Sequence, residues 1–144
     1  MKKIRVIYWT QSGNTQIMAQ AVAKGITEAG AEACVYEVCD ADAKEVLGEN
    51  AFALGCPAMG AEELEETEME PFVETLEKGV SDKRILLFGS YGWGDGEWMR
   101  NWVQRMKEAG AEVVEDEGII CMGEPDSDII NRCVELGRVL AQGE

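Results

Sequence analysis

The stretch Thr10-Gln11-Ser12-Gly13-Asn14-Thr15 is the part of the chain from which the fold and the function are best approached. It follows a short apolar run at residues 4–9 and precedes an amphipathic run that begins near Gln16, which predicts a strand, a tight polar loop and a helix start. A loop at a helix N-terminus presents unpaired backbone N–H groups and the positive end of the helix dipole. No Lys or Arg lies between Arg5 and Lys24. The stretch therefore predicts a phosphate site built from neutral donors.

The same six residues have a purely structural interpretation, in which Ser12, Asn14 or Thr15 caps the helix of an ordinary turn. Two familiar nucleotide motifs are missing here, since neither G-x-x-x-x-G-K-[ST] nor G-x-G-x-x-G is present. The choice between phosphate binding and capping therefore depends on the rest of the chain.

Composition limits the class of protein. A chain of 144 residues with 46% hydrophobic residues predicts one globular domain over residues 1–144. No apolar run reaches membrane-spanning length, and the segment after Met1 is too short and charged for a signal peptide, so we expect a cytoplasmic protein without membrane insertion. There is no histidine, and the five cysteines lack C-x-x-C spacing. This predicts no metal site, no catalytic residue of the Cys–His or Ser–His–Asp type, and reduced, mostly packed thiols.

The charge is strongly negative and unevenly distributed. A formal charge of −15 argues against nucleic acid as a partner and favours basic partners. Between residues 45 and 77 there are many carboxylates and no Lys or Arg. This predicts an acidic field around one region, although acidity that serves only solubility is the alternative.

Strands and helices alternate along the chain. Apolar runs predict strands at 4–9, 33–38, 51–55, 84–89 and 112–121, the last with a break at 116–118. Amphipathic runs predict helices at 16–29, 40–47, 70–78, 97–109 and 127–141. This order predicts an α/β three-layer sandwich with a five-stranded parallel sheet. The loops after strands one, three and four, at 10–15, 56–69 and 90–97, should meet at one sheet edge.

The two other loops suggest a planar ligand. Met59 lies in Cys-Pro-Ala-Met-Gly-Ala-Glu (56–62), where an exposed thioether needs something to cover and Gly60 permits a peptide flip. Trp93 lies between glycines in Gly-Ser-Tyr-Gly-Trp-Gly-Asp-Gly-Glu-Trp (89–98), so its indole is free to stack on a flat ring. The alternative is that both loops are ordinary turns packed on the domain, and Trp98 and Trp102 are assigned to the core. A phosphate site, a ring site and an acidic rim together indicate flavin mononucleotide (FMN).

Four stretches resemble one known family: Tyr8-Trp9 leading into 10–15, Gly55-Cys56-Pro57-Ala58-Met59-Gly60, residues 62–66, and the long block 87–99. The chain is similar over nearly its whole length to the short-chain flavodoxins of anaerobic, clostridial-type bacteria. The resemblance implies a single flavodoxin-like domain with strand order 2-1-3-4-5 and one non-covalently bound FMN. It also implies a monomeric, low-potential one-electron carrier, not an enzyme, that cycles mainly between the semiquinone and hydroquinone forms of FMN. Its partners would be redox enzymes with basic docking surfaces.

The resemblance also implies which residues bind the cofactor. Residues 10–15 would hold the phosphate, Met59 and Trp93 would cover the ring, Gly60 would accept from N5–H, and Glu62 from N3–H. Backbone amides of Gly92 and Trp93 would approach the O2/N1 edge. Ser12 and Ala61 depart from the residues that relatives usually carry. The full predicted set is Thr10, Gln11, Ser12, Gly13, Asn14, Thr15, Pro57, Ala58, Met59, Gly60, Ala61, Glu62, Ser90, Tyr91, Gly92, Trp93, Gly94 and Asp95.

Carboxylates near the ring favour a low second reduction potential, because they oppose an anionic ring. Those expected nearby are Glu62, Glu63, Glu65, Glu66 and Asp95. Three other functions remain as alternatives. An FMN-dependent NAD(P)H/quinone oxidoreductase would use the same fold. A signalling receiver would need a phosphorylatable Asp where Thr10 and Cys56 stand. A flavodoxin dedicated to maturing one enzyme has the same sequence features.

Overall fold

A computed structural model describes residues 2–143 of the chain. Among them are β1 (Lys3–Tyr8), β2 (Glu32–Glu37), β3 (Ala51–Gly55), β4 (Arg84–Tyr91), β5 (Glu112–Val113) and β6 (Ile119–Met122). The helices are α1 (Asn14–Glu28), α2 (Ala43–Val46), α3 (Met69–Leu76), α4 (Glu97–Glu108) and α5 (Ser127–Gln142), with 3₁₀ turns at Val38–Asp40 and Val114–Asp116. Within this range, each helix is too short or too polar to cross a bilayer.

The strands form one parallel sheet in the order β2-β1-β3-β4-β5, and β6 also pairs with β4. The predicted order 2-1-3-4-5 is therefore confirmed. The predicted fifth strand is divided between β5 and β6, because Glu115 (φ 63°) and Asp116 (φ 61°) adopt left-handed conformations that end β5. The break at 116–118 was thus placed too late by two residues, since the 3₁₀ turn begins at Val114.

Alternation along the strands sends side chains to two separate cores. On one face, residues such as Val6 and Phe88 pack with α1 and α5. On the other, residues such as Ile7 and Leu54 pack with α3 and α4. Trp98 and Trp102 are buried in this second core, which confirms their assignment. The three layers leave the carboxyl ends of the strands at one edge, where the loops after β1, β3 and β4 lie.

Some helix boundaries differ from the predictions. α1 begins at Asn14 instead of residue 16 because Gly13, with φ 99°, is its N-cap. No side chain caps α1, so the capping interpretation of Ser12, Asn14 or Thr15 is wrong for this turn. The predicted helix at 40–47 shortens to α2, because Asp42 caps it by accepting a 2.9 Å hydrogen bond from the N–H of Lys44.

Candidate functional site

The loops after β1, β3 and β4 converge on one cavity of about 280 Å³ at the carboxyl edge of the sheet. Its lining joins residues more than 80 positions apart in the chain, from Thr10 to Trp93. Most of the predicted site residues contribute: Thr10, Gln11, Ser12, Asn14, Thr15, Pro57, Ala58, Met59, Ser90, Tyr91, Gly92 and Trp93. The prediction that these three loops meet is therefore supported by the geometry of the fold.

One end of the cavity is the start of α1. The hydroxyl of Thr10 accepts a 3.0 Å hydrogen bond from the N–H of Gly13, which closes the turn. Thr15 is only 1% exposed, and its hydroxyl lies 3.4 Å from that of Ser90. Within residues 2–143, the N–H groups of Asn14, Thr15 and Gln16 donate to no protein acceptor. These donors and the hydroxyls beside them suit an anion, and the lining contains no Lys or Arg.

The other end of the cavity is flanked by Met59 and Trp93. Met59 is half-buried, whereas Trp93 is 59% exposed and so has little packing of its own. Met59 and Glu63 form a small hairpin through two 2.8 Å backbone hydrogen bonds. Gly60 turns this hairpin at φ 52°, and its carbonyl accepts no hydrogen bond from the described residues. A thioether and an indole thus border a space that a flat ring can enter.

The remaining predicted residues lie beside the cavity instead of lining it. Gly13 forms the turn before α1, and Gly60, Ala61 and Glu62 form the tip of the Met59–Glu63 hairpin. Gly60 lines a neighbouring cavity of about 400 Å³ that also contains Trp9 and Met59. Gly94 and Asp95 lie in the glycine-rich loop, where Asp95 accepts a 3.0 Å hydrogen bond from Arg100.

Sequence reasoning missed Gly123, which lines the main cavity. This residue follows β6 directly, has φ 71°, and donates a 2.8 Å hydrogen bond to the carbonyl of Tyr91. Met122 before it is 63% exposed. The signal that identifies Gly123 is its place after the last strand, because ligands of such sheets bind at the carboxyl ends of the strands.

Glu65 has a structural role that the sequence analysis did not predict. It is 6% exposed, and its carboxylate accepts hydrogen bonds of 2.8, 2.8 and 2.9 Å from the N–H groups of Thr67, Glu68 and Met69. It also bonds the Thr67 hydroxyl. Burial by itself raises the pKa of Glu65, but these hydrogen bonds outweigh it and hold the pKa below its ordinary value. Glu65 therefore caps α3 and anchors the loop.

Replacing Glu65 by glutamine should lower the free energy of unfolding at pH 7 by about 1–3 kcal/mol, because an amide group satisfies fewer of these donors. Since the folded-state pKa is depressed, the contribution of Glu65 is complete above the unfolded pKa of about 4.3 and is lost as the pH falls through the folded value. The difference between E65Q and the original chain should shrink between about pH 5 and pH 3.

Denaturant unfolding at several pH values measures this difference. Glu66→Gln is the matched control, because Glu66 is the exposed neighbour, and it should change stability little at any pH. A destabilisation by E65Q that stayed constant down to pH 3 would rule out the ionised cap.

The acidic field is smaller than the sequence suggests. Four of the carboxylates between 45 and 77 are paired: Arg5 lies beside Glu45 and Glu49, and Arg105 bonds Glu70 and Glu77. Glu65 is buried as a cap. Glu63, Glu66 and Glu68 remain exposed near the Met59–Glu63 hairpin, where Glu68 also accepts from the indole of Trp9 at 3.1 Å. Of the uncompensated carboxylates, Glu63 and Glu66 therefore border the cavity that contains Trp9, Met59 and Gly60.

A larger cavity of about 470 Å³ lies between α4 and the segment 116–120. Its basic residues are already paired, Arg100 with Asp95 at 3.0 Å and Lys107 with Asp116 at 3.1 Å. The smaller cavity at the sheet edge is the better candidate, because it combines unpaired backbone donors with aromatic and thioether side chains.

Comparisons with known proteins agree with the geometry. A family model described as Flavodoxin matches residues 6–136. The chain is 45% identical to a flavodoxin of Clostridium beijerinckii, covering 96% of this chain and 99% of that protein. It is 39% identical to a flavodoxin of Megasphaera elsdenii, covering 96% and 98%. The solution structure of two-electron reduced Megasphaera elsdenii flavodoxin superposes with a TM-score of 0.87 at 38% identity, covering 97% of this chain and 99% of that one.

Proposed function

The chain belongs to the flavodoxin family, and we propose on this basis that it is a low-potential one-electron carrier that uses non-covalently bound FMN. It is an electron-transfer protein and not an enzyme. The NAD(P)H/quinone oxidoreductase alternative is not favoured, because relatives matched over almost their whole length are flavodoxins. A single observation carries the assignment of the site: one cavity joins the uncapped start of α1 to Met59 and Trp93.

The donors in the cavity fit FMN. A phosphate dianion needs several N–H and O–H donors, and residues 10–15 supply backbone N–H groups together with the hydroxyls of Ser12 and Thr15. The isoalloxazine ring needs flat apolar surfaces, which Met59 and Trp93 supply at the opposite end. We assign the phosphate to residues 10–15, the ring to residues 57–62 and 90–95, and add Gly123 to the set.

When bound, FMN supplies the ability to take up and release electrons one at a time. The protein controls the energy of each step. The carbonyl of Gly60, which accepts no hydrogen bond from the described residues, would accept one from a ring N–H of bound FMN and would thereby favour the protonated ring. The exposed carboxylates of Glu63, Glu66 and Glu68 oppose further negative charge at the ring, which lowers the second potential.

Replacing Gly60 by proline should move the first and second midpoint potentials towards each other. Proline fixes φ near −65°, whereas Gly60 has φ 52°, so the carbonyl cannot keep its place in the hairpin. Loss of about 1–1.4 kcal/mol of hydrogen bonding corresponds to about 40–60 mV in a one-electron potential. Potentiometric titration of the FMN-loaded variant measures the change.

Gly60→Asn is the control, because asparagine tolerates positive φ and keeps the carbonyl in place. It should leave both midpoint potentials within about 15 mV of those of the original chain. This is about a quarter of the shift that a tenfold change in a one-electron equilibrium constant produces. Equal midpoint potentials in the proline variant, the asparagine variant and the original chain would show that the Gly60 carbonyl does not affect the reduction of FMN.

The proposal extends to partners and location. Flavodoxins pass electrons to redox enzymes, and the exposed carboxylates of Glu63 and Glu66, together with the exposed Trp93, suit a partner with a basic docking surface. We propose that the carrier is a monomer of one domain. We place it in the cytoplasm, because all five cysteines are free thiols and burial raises the pKa of Cys56 and of Cys133 to about 12, which keeps both unreactive.

Titration of the cofactor-free protein with FMN tests the assignment. We expect one FMN per chain, a Kd below about 1 µM, which corresponds to about −8 kcal/mol, and quenching of Trp93 fluorescence. Trp93→Phe keeps a ring at this position but removes the Trp93 indole and leaves Trp9, Trp98 and Trp102, so the difference between the two proteins gives the quenching of Trp93. Failure of the original chain to bind FMN would overturn the site.

A further inference from the structure

One carboxylate connects the two loops that border the ring end of the cavity. Glu62, at the tip of the Met59–Glu63 hairpin, accepts a 3.0 Å hydrogen bond from the N–H of Glu97, which lies 35 residues later. Glu97 is the first residue of α4, and the N-cap of α4 is Gly96, which has no side chain to offer. Glu62 therefore caps α4 from a different loop.

The contact between Glu62 and the glycine-rich loop is close. A Cβ atom added to Gly94 would lie 2.6 Å from the carboxylate carbon of Glu62, so the loop backbone packs directly against the carboxylate. Glu62 itself has φ 55°, a left-handed backbone conformation that residues other than glycine rarely adopt. Its surroundings thus determine its position.

Charges near Glu62 both oppose and support the contact. The carboxylate oxygens of Glu62, Asp95 and Glu97 lie within 4.8 Å of one another, so the three groups repel. The positive end of α4 attracts them, and Arg100 neutralises Asp95 at 3.0 Å. Of the three carboxylates, only that of Glu62 accepts a hydrogen bond from a backbone N–H at the start of α4 within the described residues, whereas Asp95 accepts from the Arg100 side chain.

We propose that Glu62 is a positioning residue that fastens the Met59–Glu63 hairpin to the glycine-rich loop before any ligand binds. Oε1 is held by α4, whereas Oε2 accepts no hydrogen bond within residues 2–143 and stays open to a donor on the ligand. Met59 and Trp93, one in each loop, are thereby kept at a fixed separation. The identity of the ligand rests on the proposed function, but the fastening is a property of the protein alone.

Amide hydrogen exchange, followed by NMR on the full chain with and without FMN, tests the fastening. In cofactor-free Glu62→Ala, the N–H of Glu97 should exchange about tenfold faster than in the original chain, because a hydrogen bond to a charged group is lost. Glu62→Gln keeps an oxygen acceptor and should restore part of the protection. The indole signal of Trp93 should shift in Glu62→Ala only.

Two controls accompany these variants. Glu66→Ala removes an exposed carboxylate from the same segment and should change neither signal. Glu97→Gln removes a repelling charge and should leave the backbone N–H of residue 97 equally or better protected. Equal exchange of the Glu97 N–H in Glu62→Ala and the original chain would overturn the proposal.

Ligand binding separates positioning from direct contact. The Kd for FMN should rise about tenfold in Glu62→Ala, and part of this ratio should remain with an FMN analogue methylated at N3, which lacks the N–H donor. A ratio that vanishes with the analogue would show that Glu62 acts only by contact, and would overturn its positioning role. If the original chain protects the Glu97 N–H but binds no FMN, the proposed function fails while the fastening stands.

Discussion

Replacement of Ser12 by aspartate should raise the Kd for FMN at least about 100-fold without destabilising the cofactor-free protein. Ser12 is exposed and lines the phosphate end of the cavity. Two like charges about 4 Å apart repel by about 4 kcal/mol at an effective dielectric constant of about 20. Rotation of the new carboxylate towards water reduces this repulsion. A repulsion of about 2.7 kcal/mol is enough to raise the Kd about 100-fold.

The same aspartate should leave the cofactor-free fold equally or more stable. A negative charge beside the start of a helix contributes about 0.3–1 kcal/mol in favour of folding. Unchanged or higher stability together with weaker FMN binding would indicate an anion site. A general disturbance of the loop would instead lower both the stability and the affinity for FMN.

Ser12→Asn is the matched control, because asparagine has nearly the same shape as aspartate but no charge. It should change the Kd less than about fivefold, the effect of about 1 kcal/mol. Fluorescence titration with FMN measures all three proteins, and denaturant unfolding without FMN measures their stability. An equal loss of affinity in both variants would mean that no phosphate lies beside residue 12.

Replacement of Gly137 by alanine should lower the free energy of unfolding by about 3 kcal/mol, the upper part of the usual range for overpacking. A Cβ atom at Gly137 would lie 2.2 Å from the carbonyl oxygen of Val22, and one at Gly25 would lie 1.9 Å from that of Val134. Both obstacles are backbone atoms, so α1 and α5 would have to move apart. Because α1 begins at the phosphate loop, FMN binding should weaken as well.

Asn131→Ala on the same helix is the control, because residue 131 is exposed and alanine favours the helix. It should be neutral or slightly stabilising. Denaturant unfolding of the cofactor-free proteins gives the comparison. Alanine at 137 with unchanged stability would contradict the backbone contact between α1 and α5.

The sequence was sufficient for the elements that carry a continuous local pattern. β3 occupies 51–55 as predicted, because an unbroken apolar run ends there at Gly55. The convergence of the three loops also followed from the sequence, since alternating strands and helices place every strand's carboxyl end at one edge. The loop at residues 10–15 could be proposed as a phosphate site because its polar residues lie together in the chain.

Features that depend on distant residues were not visible in the sequence. Nothing local shows that Arg105 pairs with Glu70 and Glu77, which lie 35 and 28 residues away. The acidic field was therefore overestimated. Burial of Glu65 was likewise hidden, because a carboxylate in an acidic loop has the same local pattern whether it caps a helix or faces water.

Stepwise anaerobic reduction of the FMN-loaded protein, with the absorption spectrum recorded at each controlled potential, tests the central claim most directly. A carrier with a free Gly60 carbonyl and uncompensated carboxylates at the ring predicts two resolved one-electron steps, with the second potential well below the first. The two midpoint potentials should differ by more than about 120 mV. This separation corresponds to an equilibrium constant of about 100 for formation of the half-reduced protein from its oxidised and fully reduced forms. One unresolved two-electron step would contradict the account.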